Sequence, residues 1–362
     1  MKIEFGRNSQ DKIQIAMDAL FGVREAVADR NVRAFRGLKE AYIYCTGDAD
    51  CTQVDRGGLF RVSEAIATTD FPNILLNSLT KKLIQDYQEF QIVPGLERLY
   101  TTTILGDYKP QDRVRMGYLG DLPTVAEAGP YTELTKPTDE KITYSIVKKG
   151  GLLTISEETI RNDDLGKIAQ FPNRLARAAR HSLATFVTNF FTTPPNYDPD
   201  TLAWFHATHN NLGATALSSS ELDARSILLA KQSEKDSTNR LGLTLDWIMI
   251  PIDLRPTALQ INRNMTGTNN WYNKFGENEE NIIVNPLLAE ANLHSWYGGT
   301  FPSNAPFLEI GFLDGYQTPQ IFIANLPTQG TQFTNDQLQL KAKFVFGGKP
   351  IDYRGVFKEV VA

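Results

Sequence analysis

Two histidines in Trp204-Phe205-His206-Ala207-Thr208-His209-Asn210-Asn211 stand three residues apart. On a helix that spacing puts both imidazoles on one face, where they can share a metal ion, and a metal-dependent hydrolase could be built around such a pair. The neighbours argue otherwise. Asn210, Asn211 and Gly213 favour a loop, no cysteine or third histidine is adjacent, and the His-Glu-x-x-His pattern is absent. The expected role is a hydrogen-bonded loop that docks Trp204 and Phe205, with no metal site.

A second pattern is Arg174, Arg177 and Arg180, three guanidinium groups at three-residue steps with His181 beside the last. On a helix they line one side and can meet carboxylates or phosphates. Three readings stay open: a solvated face with intramolecular pairs, salt bridges between subunits, or contact with nucleic acid. Other chemistry is missing. There is no Gly-x-x-x-x-Gly-Lys-Ser/Thr loop and no Gly-x-Ser-x-Gly elbow, and neither cysteine has a histidine nearby in sequence. The pairs Gly57-Gly58, Gly150-Gly151, Gly298-Gly299 and Gly347-Gly348 lack dinucleotide spacing and read as turn glycines. Glu157-Glu158 and Asp163-Asp164 read as acidic helix starts, favourable against the helix dipole. No catalytic residue and no cofactor is expected.

The chain that positions these groups has 362 residues, 41% hydrophobic and 22% charged, an ordinary globular composition. Its 37 Lys and Arg against 42 Asp and Glu leave −5, so the surface as a whole is not built to coat nucleic acid. The most apolar stretch, 241–252, is short and broken by Asp246 and Pro251, so no membrane span is expected. The first residues carry charge and no apolar h-region, which predicts a protein made and assembled in a cytoplasm. Cys45 and Cys51 are expected to be reduced thiols.

Periodicity predicts a helical arm over 11–44, with Ile13, Met17, Leu20 and Phe21 and then Val32, Phe35 and Leu38 on its apolar side, followed by a loop over 47–58. A helix is predicted from Thr69-Asp70-Phe71-Pro72, its stripe being Ile74, Leu75, Leu79, Leu83 and Tyr87. Residues 101–154 alternate Thr, Val, Tyr and Ile with charges and are interrupted by Gly and Pro, the composition of an extended β-ribbon. Its tip, Glu127-Ala128-Gly129-Pro130-Tyr131-Thr132-Glu133, has almost nothing to bury in its own domain. A two-stranded ribbon without a core is marginal alone, so Glu127, Tyr131 and Glu133 are candidate contacts with a neighbouring subunit. From Ser156-Glu157-Glu158 a long beam helix runs to about Phe191, kinked early if Pro172 breaks it and stopped at Thr193-Pro194-Pro195. A helix over 221–232, a strand over 245–251, a helix over 254–261, an Asn/Gly-rich insertion over 262–280 and strands over 307–312, 320–324 and 338–346 complete a mixed α/β part and an antiparallel closing sheet.

Four stretches resemble the major capsid proteins of tailed bacteriophages, of the Hong Kong 97 fold, and within them the Mu-type major head subunits and the capsid halves of prohead-protease fusions. They are Ala67-Thr68-Thr69-Asp70-Phe71-Pro72-Asn73-Ile74-Leu75, Ile155-Ser156-Glu157-Glu158, Trp204 to Leu212, and Phe346-Gly347-Gly348-Lys349-Pro350-Ile351-Asp352-Tyr353-Arg354-Gly355. Their order and spacing, over roughly 67–362, carry the resemblance more than any one of them. It implies an α+β fold with an N-terminal arm (1–104), an extended β-ribbon loop (105–145) and a peripheral domain with a long spine helix (146–195). An α/β axial domain (196–310), peripheral return strands (311–350) and a C-terminal segment (351–362) would follow. It further implies a non-enzymatic shell protein that assembles with itself into pentamers and hexamers and encloses double-stranded DNA without sequence specificity. Portal, decoration or scaffolding proteins would be further partners, and Arg174, Arg177 and Arg180 would be inter-subunit or DNA-facing. An encapsulin-type nanocompartment shell is the alternative within the same fold.

Overall fold

In the computed structural model the described residues are 9–28, 32–46, 70–116, 124–131, 133, 139–156, 165–235, 239–263, 279–288, 294–324 and 337–361. Among them the helices are α1 (Ser9–Leu20), α2 (Arg24–Ala28), α3 (Leu38–Thr46), α4 (Asp70–Glu89), α5 (Leu165–Thr192), α6 (Ser219–Lys231) and α7 (Arg255–Arg263). The strands are β1 (Thr101–Leu105), β2 (Gln111–Met116), β3 (Asp139–Tyr144), β4 (Val147–Ser156), β5 (Leu212–Gly213), β6 (Trp247–Ile250), β7 (Ile282–Val284), β8 (Trp296–Gly299), β9 (Leu308–Leu313), β10 (Gln320–Ala324), β11 (Gln337–Pro350) and β12 (Val356–Glu359). None of these helices is long and apolar enough to cross a membrane.

The chain divides into two units, one of 1–91, 148–181 and 316–345, the other of 92–147, 182–315 and 346–362, so that α5 and β11 contribute residues to both. In the first unit α1 and α3 pack on α4. Ile13, Ala16 and Met17 of α1 are buried, as are Leu75, Leu79, Leu83 and Tyr87 of α4, the expected stripe. Asp18 is buried with them and accepts hydrogen bonds from Gln14 Nε2 (2.8 Å), Ser78 Oγ (2.6 Å) and Lys81 Nζ (2.6 Å), which meets the desolvation cost of a buried carboxylate. The arm expected as one helix is three. Gly22, at φ 72°, sits in the left-handed conformation that ends α1, and 33–37 are non-helical before α3. Cys45 is buried; Cys51 and the loop expected over 47–58 lie outside the described residues.

The beam is α5, 28 residues long, and it continues unbroken through Pro172. It starts later than expected. Ser156 ends strand β4, and 157–164, with both acidic pairs, lie outside the described residues.

In the second unit β5-β12-β8-β6-β7 form a mixed sheet, parallel at β5/β12 and β6/β7 and antiparallel elsewhere. Strand β6 is buried at every position, as its continuous apolar run requires. Leu222 and Leu229 of α6 and Ala258 of α7 pack into the same core as Ile248, Ile250 and Trp296. Helix α6 is capped by Ser218, whose hydroxyl accepts from Glu221 N at 3.2 Å. Strand β1 pairs in parallel with β9, and β9 antiparallel with 346–350 of β11. Among the described residues only β2 and β3 make a two-stranded ribbon, so the ribbon expected over 101–154 is shorter, β1 pairing with β9 and β4 with β11.

Three of the glycine pairs expected in turns lie inside strands, at 150–151, 298–299 and 347–348; Gly57-Gly58 lies outside the described residues. Close approach is the reason. A Cβ on Gly348 would collide with the Glu309 carbonyl, and one on Gly299 with the Gly355 carbonyl.

Candidate functional site

The ribbon shows one face to protein and one to solvent, and the inner face carries charge as the outer one does. Residues 111, 113 and 115 of β2 alternate with exposed Asp112 and Val114, and on β3 Glu140, Ile142 and Tyr144 are buried. The register sets Arg113 beside Ile142 and Arg115 beside Glu140. On the outer face Thr143 Oγ1 donates to Asp112 at 2.7 Å and Lys141 pairs with Asp112 at 2.8 Å, while Val114 is 57% exposed.

The inner arginines tie the ribbon to its own unit. Arg113 Nε lies 2.6 Å from Glu309 Oε1 on β9, and the same carboxylate accepts from the Tyr144 hydroxyl. Arg115 bridges Asp352 and Glu234, the latter at 2.9 Å. Arg354, 1% exposed, reaches Glu140 at 3.1 and 3.3 Å, Asp352 at 3.0 Å and the Ser233 carbonyl at 3.1 Å. Three guanidinium groups thus face four carboxylates around the root of one ribbon. Burial pushes the Asp352 carboxyl up, against the pull of Arg115 and Arg354. Burial alone would lower the Arg354 guanidinium, but Asp352 and Glu140 outweigh it and hold its charge. Burial also raises the phenols of Tyr144 and Tyr197, helped by Glu309 in the first and by Asp352 and Glu140 in the second. A second tie lies alongside: Asp198 accepts from Thr143 N at 3.1 Å and pairs with Lys349.

At the other end the ribbon offers its candidates outward. A turn closed by Gly129 N donating to Ala126 O (2.8 Å) carries exposed Glu127, and beyond it lie Tyr131, 90% exposed, and exposed Glu133.

The histidine loop is hydrogen-bonded within its own chain, as expected. His209 is buried, with Nε2 2.7 Å from Asp200 Oδ2, Nδ1 3.2 Å from the Trp204 carbonyl, and its ring stacked on Tyr353 at 3.9 Å. His206 Nδ1 accepts from Thr208 N at 3.2 Å, and Asn211 ties the loop by donating to the Trp204 and Tyr353 carbonyls. Trp204 and Phe205 are docked into a cluster with Phe191. Among the described residues no three His, Cys, Asp or Glu side chains gather where a metal could bind.

The three arginines of α5 are placed on the helix but held by their own chain. Arg174 donates to Gln170 Oε1 at 3.0 Å, Arg177 stacks over Phe90 at 4.8 Å, and Arg180 lies over Tyr87 at 3.9 Å while donating to its carbonyl at 2.7 Å. Of the three sequence readings, the intramolecular one describes these contacts.

Sequence reasoning missed Arg354, Asp352, Glu140, Arg115 and Arg113 as a group, and it missed Lys358. The Lys358 ammonium is buried, donates to the Phe191 carbonyl (3.1 Å) and Thr192 carbonyl (3.4 Å) at the end of α5, and is flanked by the rings of Phe205 and Tyr297. It satisfies carbonyls that a helix end leaves open. The available signal was the charge of the closing stretch 346–358, which holds Lys349, Asp352, Arg354 and Lys358.

No curated protein is detectably similar in sequence. Among solved structures, one from Microbacterium phage Oxtober96 is similar with a TM-score of 0.47 and 9% identity, covering 75% of this chain and 92% of that one. One from Gordonia phage Cozz has a TM-score of 0.46 and 12% identity, over 75% and 88%. One described as the capsid of a native GTA particle computed with C5 symmetry has a TM-score of 0.46 and 13% identity, over 86% and 97%. These distant likenesses carry no residue-level argument. The family model described as phage capsid protein matches residues 139–358, more than half of the chain, from β3 through the beam helix to the buried lysine of β12. The α+β class expected from the sequence is the one observed, and by that match the chain belongs to the phage capsid proteins, a structural family of the virion shell with the Hong Kong 97-type fold.

Proposed function

We propose that this chain is a major head subunit that assembles with itself into the pentamers and hexamers of an icosahedral shell around double-stranded DNA, and that it has no catalytic activity. Assembly would take place in the host cytoplasm, with portal, decoration or scaffolding proteins as further partners. The observation that carries the reading is the ribbon: a root fixed by buried charge pairs and a tip whose Glu127, Tyr131 and Glu133 are exposed. Ordering a segment costs about 1–2 kcal/mol per residue, and this tip recovers little of that within its own subunit. Burial against a neighbour would recover it, stabilising the assembly rather than the monomer. In this reading residues 105–145 are the extended loop, 146–195 with 311–350 the peripheral domain, and 196–310 the axial domain.

Sedimentation and negative-stain electron microscopy of the purified chain, with nuclease-protected nucleic acid assayed in the same fractions, test it. Closed shells or capsomer rings are expected, and protected DNA distinguishes a phage head from a cargo compartment. A chain that stays monomeric at about 40 kDa over all salt and protein concentrations overturns it.

A further inference from the structure

His209 joins two loops of the second unit, and both nitrogens of its buried ring face oxygens that accept hydrogen. Nε2 lies 2.7 Å from Asp200 Oδ2, and Nδ1 lies 3.2 Å from the Trp204 carbonyl. Only the imidazolium carries hydrogen on both nitrogens, so it alone satisfies both contacts; a neutral ring sets one lone pair against an oxygen. Tyr353 stacks on the ring at 3.9 Å, while Tyr197 meets it edge-on at 6.2 Å and His206 at 5.9 Å. Arg354 lies over the Tyr353 ring at 4.6 Å, with Asp352 and Glu140 as its own carboxylate partners. Burial and Arg354 oppose a charge on His209, whereas Asp200 and the stacked phenol favour it.

Asp200 belongs to a turn that needs holding. Tyr197 N donates to the Leu202 carbonyl at 2.7 Å and Thr201 N to the Tyr197 carbonyl at 2.8 Å. Thr201 sits at φ 62°, a left-handed conformation that a β-branched residue rarely adopts. Asp200 Oδ1 accepts from Leu202 N at 3.0 Å, so one carboxylate closes the turn with one oxygen and grips His209 with the other. The same turn carries Asp198, which accepts from Thr143 N of β3 at 3.1 Å and pairs with Lys349. Ring, strained turn and ribbon root are joined in one line of contacts.

We propose that His209, protonated on both nitrogens, is a proton-dependent latch that holds the 197–202 turn through Asp200 and, through Asp198 of that turn, the root of the ribbon. His209 is thus a positioning residue for Thr143. Loss of its proton turns one of its two contacts from attractive to repulsive, so the hold on the turn is complete near about pH 6 and fades as pH rises toward about 9. The latch lies within one subunit and does not depend on assembly.

The full-length chain with isotope-labelled histidine, read by nitrogen NMR, tests the first half, the His209→Gln variant identifying the resonances. Both ring nitrogens of His209 are expected to be protonated at about pH 7.5, where an ordinary imidazole is mostly neutral. Hydrogen exchange tests the second half. Protection of the β3 amides, corrected for the intrinsic pH dependence of exchange, is expected to fall about tenfold from about pH 6 to about 9 in the wild type and to stay within about twofold in His209→Gln. If His209→Gln is poorly folded, Asp200→Asn replaces it: the side-chain oxygen keeps the Leu202 bond, the amide donates to a neutral ring, and the same flat profile is expected. A His209 ring with one bare nitrogen at about pH 7.5 overturns the proposal. So does a wild type whose β3 protection follows the same pH course as that of the variant.

Discussion

The two ends of the β2/β3 ribbon are made of similar residues and have opposite fates. At the root, Arg113, Arg115 and Glu140 are turned inward against Glu309, Asp352, Glu234 and Arg354; at the tip, Glu127, Tyr131 and Glu133 face solvent. Both ends carry charge; what separates them is the number of partners within the subunit. A buried ion needs several, and the root supplies them, whereas the tip keeps its charges in solvent.

The sharpest way to break this contrast is at Arg354. Removing one member of a buried charged network leaves the others unpaired, so Arg354→Ala should lose about 3–5 kcal/mol of folding stability, read as the urea midpoint of the purified chain or as loss of soluble protein. Lys358→Met comes next. It keeps an apolar stem between Phe205 and Tyr297 but leaves the Phe191 and Thr192 carbonyls open, and about 1–3 kcal/mol should be lost in the same assay.

The buried phenols give a smaller, pH-dependent effect. Burial raises the Tyr144, Tyr197, Tyr297 and Tyr353 hydroxyls above their ordinary 10.0. In the unfolded chain they ionise first, so above pH 10 the folded state holds more protons and stability falls as pH rises. Thermal midpoints should therefore drop from pH 9.5 to about 11, and less steeply in Tyr297→Phe. The tip should show the least in a monomer assay: Tyr131→Ala should stay within about 0.5 kcal/mol of wild type in urea, yet lower particle yield. An equally small stability change at Arg354 would erase the distinction between root and tip.

Much of this was legible in the sequence. The stripe of α4 and the all-apolar β6 follow from periodicity, and Trp204-Phe205 docked through its polar loop as its residues suggested. The root was illegible for a physical reason. In β2 the alternation of Gln111, Arg113 and Arg115 with Val114 reads as polar-out and apolar-in, and the fold inverts it because four carboxylates from distant segments converge on the inner side. Periodicity carries no information about such long-range partners. The glycine pairs were misread likewise, because a turn and a close strand crossing ask for the same missing side chain. The exposure of the tip was readable, since it depends on what its own residues lack.

One consequence of Lys358 concerns synthesis. The carbonyls it caps end a helix completed at Thr192, and its strand β12 lies between β5 and β8 in the sheet of the second unit. A nascent chain that has already emitted α5 and β8 must therefore wait for residues 356–359 to leave the ribosome before that sheet can close. Contacts of such sequence separation form slowly, so the unit matures after translation has passed them rather than piece by piece.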